Sequence, residues 1–290
     1  MQGFYNVIKP TGMSSAAVVG KIKKILKQKR VGHMGTLDPA ASGVLTIGVG
    51  KVTRFFDYFL NKDKIYYAIA EFGVQTDTLD SEGNIIYNAP IKVKKEYIEK
   101  IIPKFTGEIW QAPPIYSAIN IDGKRAYELA RQGQTFEIPK RKVLVYDFKI
   151  VERIGDNKYS FRIHCSSGTY VRSLLSDLAK SLGVVANIPV IIREKSGDFK
   201  LENANTLEEI EDLFAENIIK VENVFSDLKK VYFRSDDVKK IVNGVRIKNI
   251  YTVCEKEDFL GYVEDELFGL FTCENNEIYC KINLYEGDGK

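Results

Sequence analysis

Apolar residues recur along this chain at two spacings, and the spacing switches from segment to segment. Val18, Ile22, Ile25 and Leu26 fall three to four apart, which predicts a helix from Ser14 or Ser15, either able to cap it, to about residue 30. Its other face is dense in cations: Lys21, Lys23, Lys24, Lys27, Lys29 and Arg30. That face reads either as an ordinary solvated surface or as a contact for phosphate or a membrane surface. Residues 66–72 alternate and predict a strand, followed by a turn-rich acidic segment over 76–83. Tyr97, Ile98, Ile101 and Ile102 predict a helix over 94–105, stopped near Pro103 to Gly107. Two further strands are expected at 143–151 and 159–165, and a helix over 173–182 ends at Gly183 with Leu174, Leu175, Leu178 and Leu182 inward. Thr206-Leu207-Glu208-Glu209 is a capping box that opens another helix. Near Lys229-Lys230-Val231 the pattern changes to short alternating runs, at 247–254 and 259–263 among others, which predicts a small β-rich module over 231–290.

Between the strands lies a proline-punctuated extended segment, Gln111-Ala112-Pro113-Pro114-Ile115-Tyr116-Ser117-Ala118. The residues after it carry Lys124, Arg125, Arg131, Lys140, Arg141 and Lys142. Polar, basic and only moderately apolar, this stretch reads as an excursion from the sheet rather than core, and long connections are usually functional or disordered.

Composition adds bounds. With 290 residues and 44% hydrophobic content the chain can bury a large core and carry a second small domain. A net charge of +3 neither demands nor excludes nucleic acid, so the placement of the cations decides. The start, Met1 to Val7, shows no basic region before an apolar signal core, and no stretch approaches a membrane span, so a soluble cytoplasmic protein is expected. Cys165, Cys254, Cys273 and Cys280, with His33 and His164, form no C-x-x-C and no zinc spacing, which predicts neither disulfides nor a metal. Gly48-Val49-Gly50-Lys51 is not a phosphate loop, because Val52 stands where such a loop needs Ser or Thr.

The chemistry concentrates in Gly32-His33-Met34-Gly35-Thr36-Leu37-Asp38-Pro39-Ala40-Ala41-Ser42-Gly43-Val44-Leu45. Pro39 disfavours αR for Asp38, so the carboxylate sits at a turn or at a helix entry. Asp before Pro is also a plain helix start, with Asp as N-cap.

This stretch resembles the catalytic motif of the bacterial tRNA pseudouridine synthase B family. Lys9-Pro10-Thr11-Gly12, Thr76-Asp77-Thr78-Leu79-Asp80 and Gly168-Thr169-Tyr170-Val171-Arg172 match it in order, and the resemblance runs from about residue 5 to about residue 199, more weakly beyond. It implies an α+β fold: a mixed, largely antiparallel sheet with flanking helices in a catalytic domain over 1–230, and a PUA-like RNA-binding domain over 231–290. It also implies a mobile thumb-like insert over about 120–142. The implied activity is conversion of uridine 55 in the T-loop of tRNA to pseudouridine, with no cofactor. The implied partner is the tRNA T-arm, with no membrane, no obligatory protein partner, and a monomeric enzyme.

The resemblance also assigns residues. Asp38 is the essential carboxylate, adding to C1′ or removing a sugar proton to give a glycal. Arg172 pairs with Asp38. Tyr66 stacks on the flipped base and handles the C5 proton. Tyr170 buttresses the pocket and Ile191 packs near the base. His33 enters the T-loop where flipped bases leave, Lys9 and Pro10 support the site, and Asp80 contacts the target region. On residue chemistry alone a lone strand tyrosine is a cross-strand partner, and an arginine after a strand a surface ion pair. The chain departs from the family at Ser117-Ala118-Ile119-Asn120, against Ser-Ala-x-Lys. It departs again at Ile191-Ile192-Arg193-Glu194-Lys195-Ser196-Gly197-Asp198-Phe199, against Leu-Arg-Arg-Thr-Arg-x-Gly-Pro-Phe; both changes remove positive charge. Two rivals remain: a guide-RNA-dependent homologue, against which the basic insert speaks, and an RNA-binding module without chemistry, against which Asp38, Tyr66 and Arg172 speak.

Overall fold

The computed structural model describes residues 2–121 and 123–285. Asp122 of the expected insert, residues 286–290 of the expected C-terminal module, and Met1 lie outside the described residues.

The strand Lys64–Phe72 lies in the middle of the large sheet, because its alternation buries Ala68, Ala70 and Phe72 on one face. Those two alanines share the main core with Leu174, Leu175 and Leu178 of the helix Val171–Ser181. Lys158–Cys165 pairs antiparallel on one side of it and Ala186–Ser196 antiparallel on the other. Outward from the first run Arg141–Arg153 and then Gly107–Gln111, both antiparallel. Outward from the second comes Ser42–Val49, then Gly3–Lys9. Within this sheet Ser42–Val49 and Ala186–Ser196 are the parallel neighbours, and they touch through Ser42↔Ile192 and Gly43↔Arg193. The fold is therefore α+β, with a mixed, largely antiparallel sheet and flanking helices.

The structure corrects several sequence expectations. The first helix spans Ser15–Ile25 and stops short of residue 30: Leu26 is its C-cap and Lys27 turns left-handed at φ 50°. The apolar stripe ends at Leu26, so a further turn would bury nothing. Ser14 is its N-cap, accepting from the Ala17 amide, while Ser15 is buried and bonded elsewhere. The helix expected over 94–105 is α-helical only over Lys95–Ile101 and tightens to a 3-10 turn over Ile102–Phe105, where Pro103 cannot donate. The capping box at Thr206 is formed in both directions, at 3.2 Å to the Glu209 amide and 2.7 Å from the Thr206 amide.

The strand Ala186–Ser196 was not expected at all. Two bulges, between Asn187 and Val190 and between Arg193 and Lys195, break the period of two by which a strand is recognised. The basic excursion is not wholly a surface loop. A short hairpin, Asn120–Ile121 with Lys124–Arg125, leads into the helix Ala126–Arg131, where Ala126 and Leu129 are buried, and Arg141 already belongs to the large sheet.

Near the C-terminus Lys229–Tyr232, Asp258–Val263, Glu266–Glu274, Glu277–Asn283 and Ile247–Lys248 form a second sheet, which begins two residues before the expected 231. The run expected over 247–254 pairs only at Ile247–Lys248; Asn249 then bonds the Val253 backbone and Thr252 turns left-handed. This sheet is fused to the larger one. Leu260, Tyr262, Leu270 and Leu284 share one buried cluster with Phe4, Phe55, Phe59, Phe199 and Phe225, and the Phe55 and Phe225 rings lie 4.9 Å apart. Leu270→Ala is expected to cost about 2–5 kcal/mol. It should lower one shared melting transition, which calorimetry reads; two separate transitions would show that the sheets fold independently.

Candidate active site

The loop that carries Asp38 is tied down from behind. Lys9, fully buried at the end of its strand, donates from Nζ to the carbonyls of Pro10 (2.8 Å), Met13 (2.6 Å) and Pro39 (3.1 Å). Burial pulls its ammonium down to about 8, so it remains charged near neutrality and its three protons match three acceptors. Ser15 Oγ accepts from the Leu37 amide and donates to the Leu37 carbonyl, both at 2.9 Å, and the Gly12 amide donates to the Pro39 carbonyl. Asp38 opens a turn, with the Ala41 amide donating to its carbonyl, and strand Ser42–Val49 follows. The alternative of Asp38 as a helix N-cap is therefore excluded.

Arg172 is the second residue of the helix Val171–Ser181, where the macrodipole disfavours a cation, and only 4% of its side chain is exposed. Two carboxylates and two carbonyls offset that. Nη2 meets Asp38 Oδ2 at 2.6 Å and donates to the Tyr116 carbonyl at 2.9 Å; Nη1 meets Asp80 Oδ2 at 3.1 Å and donates to the Thr78 carbonyl at 2.9 Å. The two acids differ in access. Asp80 is 7% exposed and also accepts at Oδ1 from the Thr78 hydroxyl and the Glu82 amide, whereas Asp38 keeps 31% of its side chain open.

Asp38 faces a cavity of about 420 Å³. Tyr66, Tyr170, Arg172 and Ile191 line it with Asp38, so five of the expected site residues come together from segments far apart in the chain. Tyr170 precedes the helix and is clasped by Gln111, whose side chain accepts from its amide (2.8 Å) and donates to its carbonyl (3.0 Å). Arg141 lies over the Tyr170 ring at 4.8 Å and bonds the Gly168 carbonyl. Ile191 and Tyr66 come from adjacent strands, and Tyr66 stands directly across from Arg193. Burial pushes the Tyr66 phenol upward, and the Arg193 guanidinium opposes that.

The other expected residues lie outside the cavity wall. Lys9 is behind the Asp38 loop, with Pro10 exposed next to it, and Asp80 is turned toward Arg172 rather than the open space. His33 ends the strand Val31–His33 opposite Ile47, half-buried, with Nδ1 buried and unbonded; burial, reinforced by Arg193, holds its imidazole below the ordinary value.

Two cations of the wall, Lys64 and Arg193, carry no role in the sequence reading, and Arg141 enters it only as one cation of the basic insert. Lys64 donates to the carbonyls of Leu60 (2.8 Å) and Lys62 (2.5 Å), and burial pulls it down to about 8. The signal for Arg193 is its place two residues after Ile191, which on a strand sets both on one face. With Arg125 and Arg172 these groups outnumber the nearby acids, a balance suited to a polyanion that offers one neutral ring to the carboxylate.

A family model described as TruB family pseudouridylate synthase (N terminal domain) matches residues 23–171. The tRNA pseudouridine synthase B of Caldanaerobacter subterraneus subsp. tengcongensis is 40% identical over 291 residues, covering 99% of this chain and 96% of that one. That of Clostridioides difficile is 42% identical over 253 residues, covering 84% and 83%. Among solved structures, a chain of a Cbf5-Nop10-Gar1 complex superposes with a TM-score of 0.69 at 28% identity, over 94% of this chain and 78% of that one. A chain of an H/ACA RNP bound to a substrate RNA containing 2′-deoxyuridine superposes at 0.73 with 24% identity, over 99% and 86%, a likeness of fold alone. The family match spans the Asp38 loop and Tyr66, and the full-length relatives extend it past Arg172, so this chain belongs to the TruB family of pseudouridylate synthases.

Proposed function

We propose that this enzyme isomerises uridine 55 in the T-loop of tRNA to pseudouridine, acting on the T-arm without a protein partner. The observation that carries the reading is the 2.6 Å pair of Asp38 and Arg172, set in a cavity with a tyrosine and an isoleucine on the facing strands. The reaction breaks N1–C1′, turns the base and joins C5 to C1′, with C5 losing a proton and N1 gaining one; no electrons are gained or lost. A uridine extruded from its stack enters the cavity between Tyr66 and Ile191. Asp38 acts on the sugar, at C1′ or on a sugar proton, and the Arg172 guanidinium holds one of its oxygens so that the carboxylate keeps one orientation. Tyr66 stacks on the ring and takes the C5 proton. Asp80 works through Arg172, Lys9 and Pro10 hold the Asp38 loop, and His33 enters the T-loop. The division into a catalytic domain over 1–230, with a gripping insert over about 120–142, and a PUA-like domain over 231–290 belongs to the same reading.

The test is tritium release from a T-arm transcript labelled at C5, with the purified protein alone. Release at catalytic enzyme concentration supports the reading. Release only when a guide RNA or partner protein is added would place the enzyme in a particle instead, and binding without release would leave an RNA-binding module.

Lys21, Lys23 and Lys24 of the first helix, with Lys27, Lys29 and Arg30 after it, lie at the surface, and among the described residues they pair with no acid, which leaves their charge available to phosphate. Replacing Lys23 and Lys24 by Glu is expected to weaken T-arm binding and to lower the slope of log K against log salt by about one for each phosphate that is no longer neutralised. The turnover rate on saturating RNA should hold, the pattern of lost uniform binding. Filter binding over a salt series reads the first effect; an unchanged slope would return these lysines to plain surface.

A further inference from the structure

We propose that Arg193 is a positioning residue of the isomerisation, holding the Asp38 loop and the Tyr66 hydroxyl in one rigid arrangement and lending its charge to the oxygen that receives the C5 proton. The inference rests on the roles given above to Asp38 and Tyr66.

Arg193 is 2% exposed, and its partners are backbone carbonyls rather than a carboxylate. Nε donates to Val44 at 2.7 Å, Nη1 to Thr36 at 3.1 Å and Nη2 to Gly35 at 3.2 Å. Gly35 and Thr36 lead into Asp38, and Val44 follows the turn that Asp38 opens, so one guanidinium grips the loop on both sides of the carboxylate. The fold leaves no slack there. Gly43 faces Arg193 in the two-pair parallel contact of the sheet, with φ at +104°, and a Cβ on it would run into the Arg193 carbonyl oxygen. Only glycine lets the two backbones approach so closely.

A guanidinium has five N–H donors, and three are engaged by the carbonyls. The side chain also lines the cavity, and on the neighbouring strand the residue directly across is Tyr66, whose phenol its charge favours in the ionised form. Burying a cation without a counter-ion is costly, and the Tyr66 phenolate that the proton step requires is the anion placed to offset it. Once C5 has joined C1′, C6 is doubly bonded to N1; as the C5 proton passes to the Tyr66 phenolate oxygen, the C5–H pair becomes the C5=C6 double bond and the C6=N1 pair returns to N1, which takes a proton from water. The phenol formed returns that proton to water. A phenolate in this half-buried site is disfavoured by burial and by the charge of Asp38, and Arg193 is the group that counters them, with Lys64 on the same wall. Lysine is a poor substitute, since one ammonium cannot span three carbonyls and a hydroxyl in fixed directions.

The test uses the full chain and T-arm transcripts carrying hydrogen or deuterium at C5 of the target uridine, with single-turnover rates for the parent, R193K, R193Q and Y66F. R193Q and R193K are expected to slow by roughly 10²-fold, the scale of a weakened proton acceptor, with T-arm affinity within a few-fold of the parent. The ratio of hydrogen to deuterium rates should rise above the parent's, more in R193Q than in R193K, because proton removal becomes the slow step. A folded R193Q that turns over like the parent overturns the proposal. So does slowing of both variants with the parent's isotope ratio, which would make Arg193 only a prop for the loop. Should R193Q fail to fold, R193K carries the same comparison. Y66F separates the two readings: parent-like turnover there removes the role of Tyr66 itself, whereas a raised ratio in Y66F but not in the Arg193 variants removes Arg193 alone.

Discussion

Asp38→Asn is expected to leave a folded protein that binds the T-arm and has lost turnover by at least on the order of 10⁴-fold. An amide can neither add to C1′ nor take a proton from the sugar, so both routes open to the carboxylate close together. The fold should survive for reasons visible around Arg172. That guanidinium keeps Asp80 and the carbonyls of Thr78 and Tyr116, and an asparagine oxygen can still accept from Nη2. The loop itself is held by Lys9 and Ser15, not by the Asp38 side chain. Removing Arg172 is a poorer test, since it would leave Asp80 buried without its cation and cost about 3–5 kcal/mol on its own account. Thermal melting, filter binding and tritium release from C5-labelled T-arm give the three readouts. Joint loss of melting temperature and binding would mean that Asp38 is structural, and surviving turnover would remove it from the chemistry.

Tyr66 offers the second large effect, because substitution separates its ring from its hydroxyl. The ring should stack on the extruded base, an interaction worth on the order of 1–3 kcal/mol. The hydroxyl should serve the proton step, where a positioned group contributes roughly 10²–10⁴-fold. Tyr66→Phe keeps the first and loses the second, so kcat should fall steeply while Kd holds; Tyr66→Leu should damage both. Single-turnover rates and filter binding at one fixed salt concentration make the comparison, since phosphate contacts make affinity depend on salt. If Tyr66→Phe turns over like the parent, the tyrosine is a stacking platform alone and the proton has another acceptor.

Much of the site can be read from local order. Asp38 before Pro39 among glycines announces a turn, since proline restricts its predecessor. The alternation of 66–72 and the leucine stripe of 174–182 place Tyr66 on a strand and Arg172 beside a helix, because residue spacing alone decides which side chains share a face. Spacing loses that power where the backbone departs from the ideal. The bulges in Ala186–Ser196 hid a strand at the heart of the sheet, and with it Arg193. Charge is harder still to read. Nothing local in the sequence marks Arg193, Lys9 or Lys64 as buried, yet each is buried and bonded to carbonyls.

The sequence by itself determined which segments turn, coil or extend, the order of the motifs, and through them the family; each of these rests on forces acting within a few residues of one another. Tertiary structure alone decided what stands beside what. Asp38 meets Arg172 across 134 positions and Gly35 meets Arg193 across 158, and the C-terminal sheet completes the core around Phe55 instead of standing apart. Whether a charge is solvated or buried depends on such distant partners, because the cost of taking it from water is met only by groups that folding brings to it.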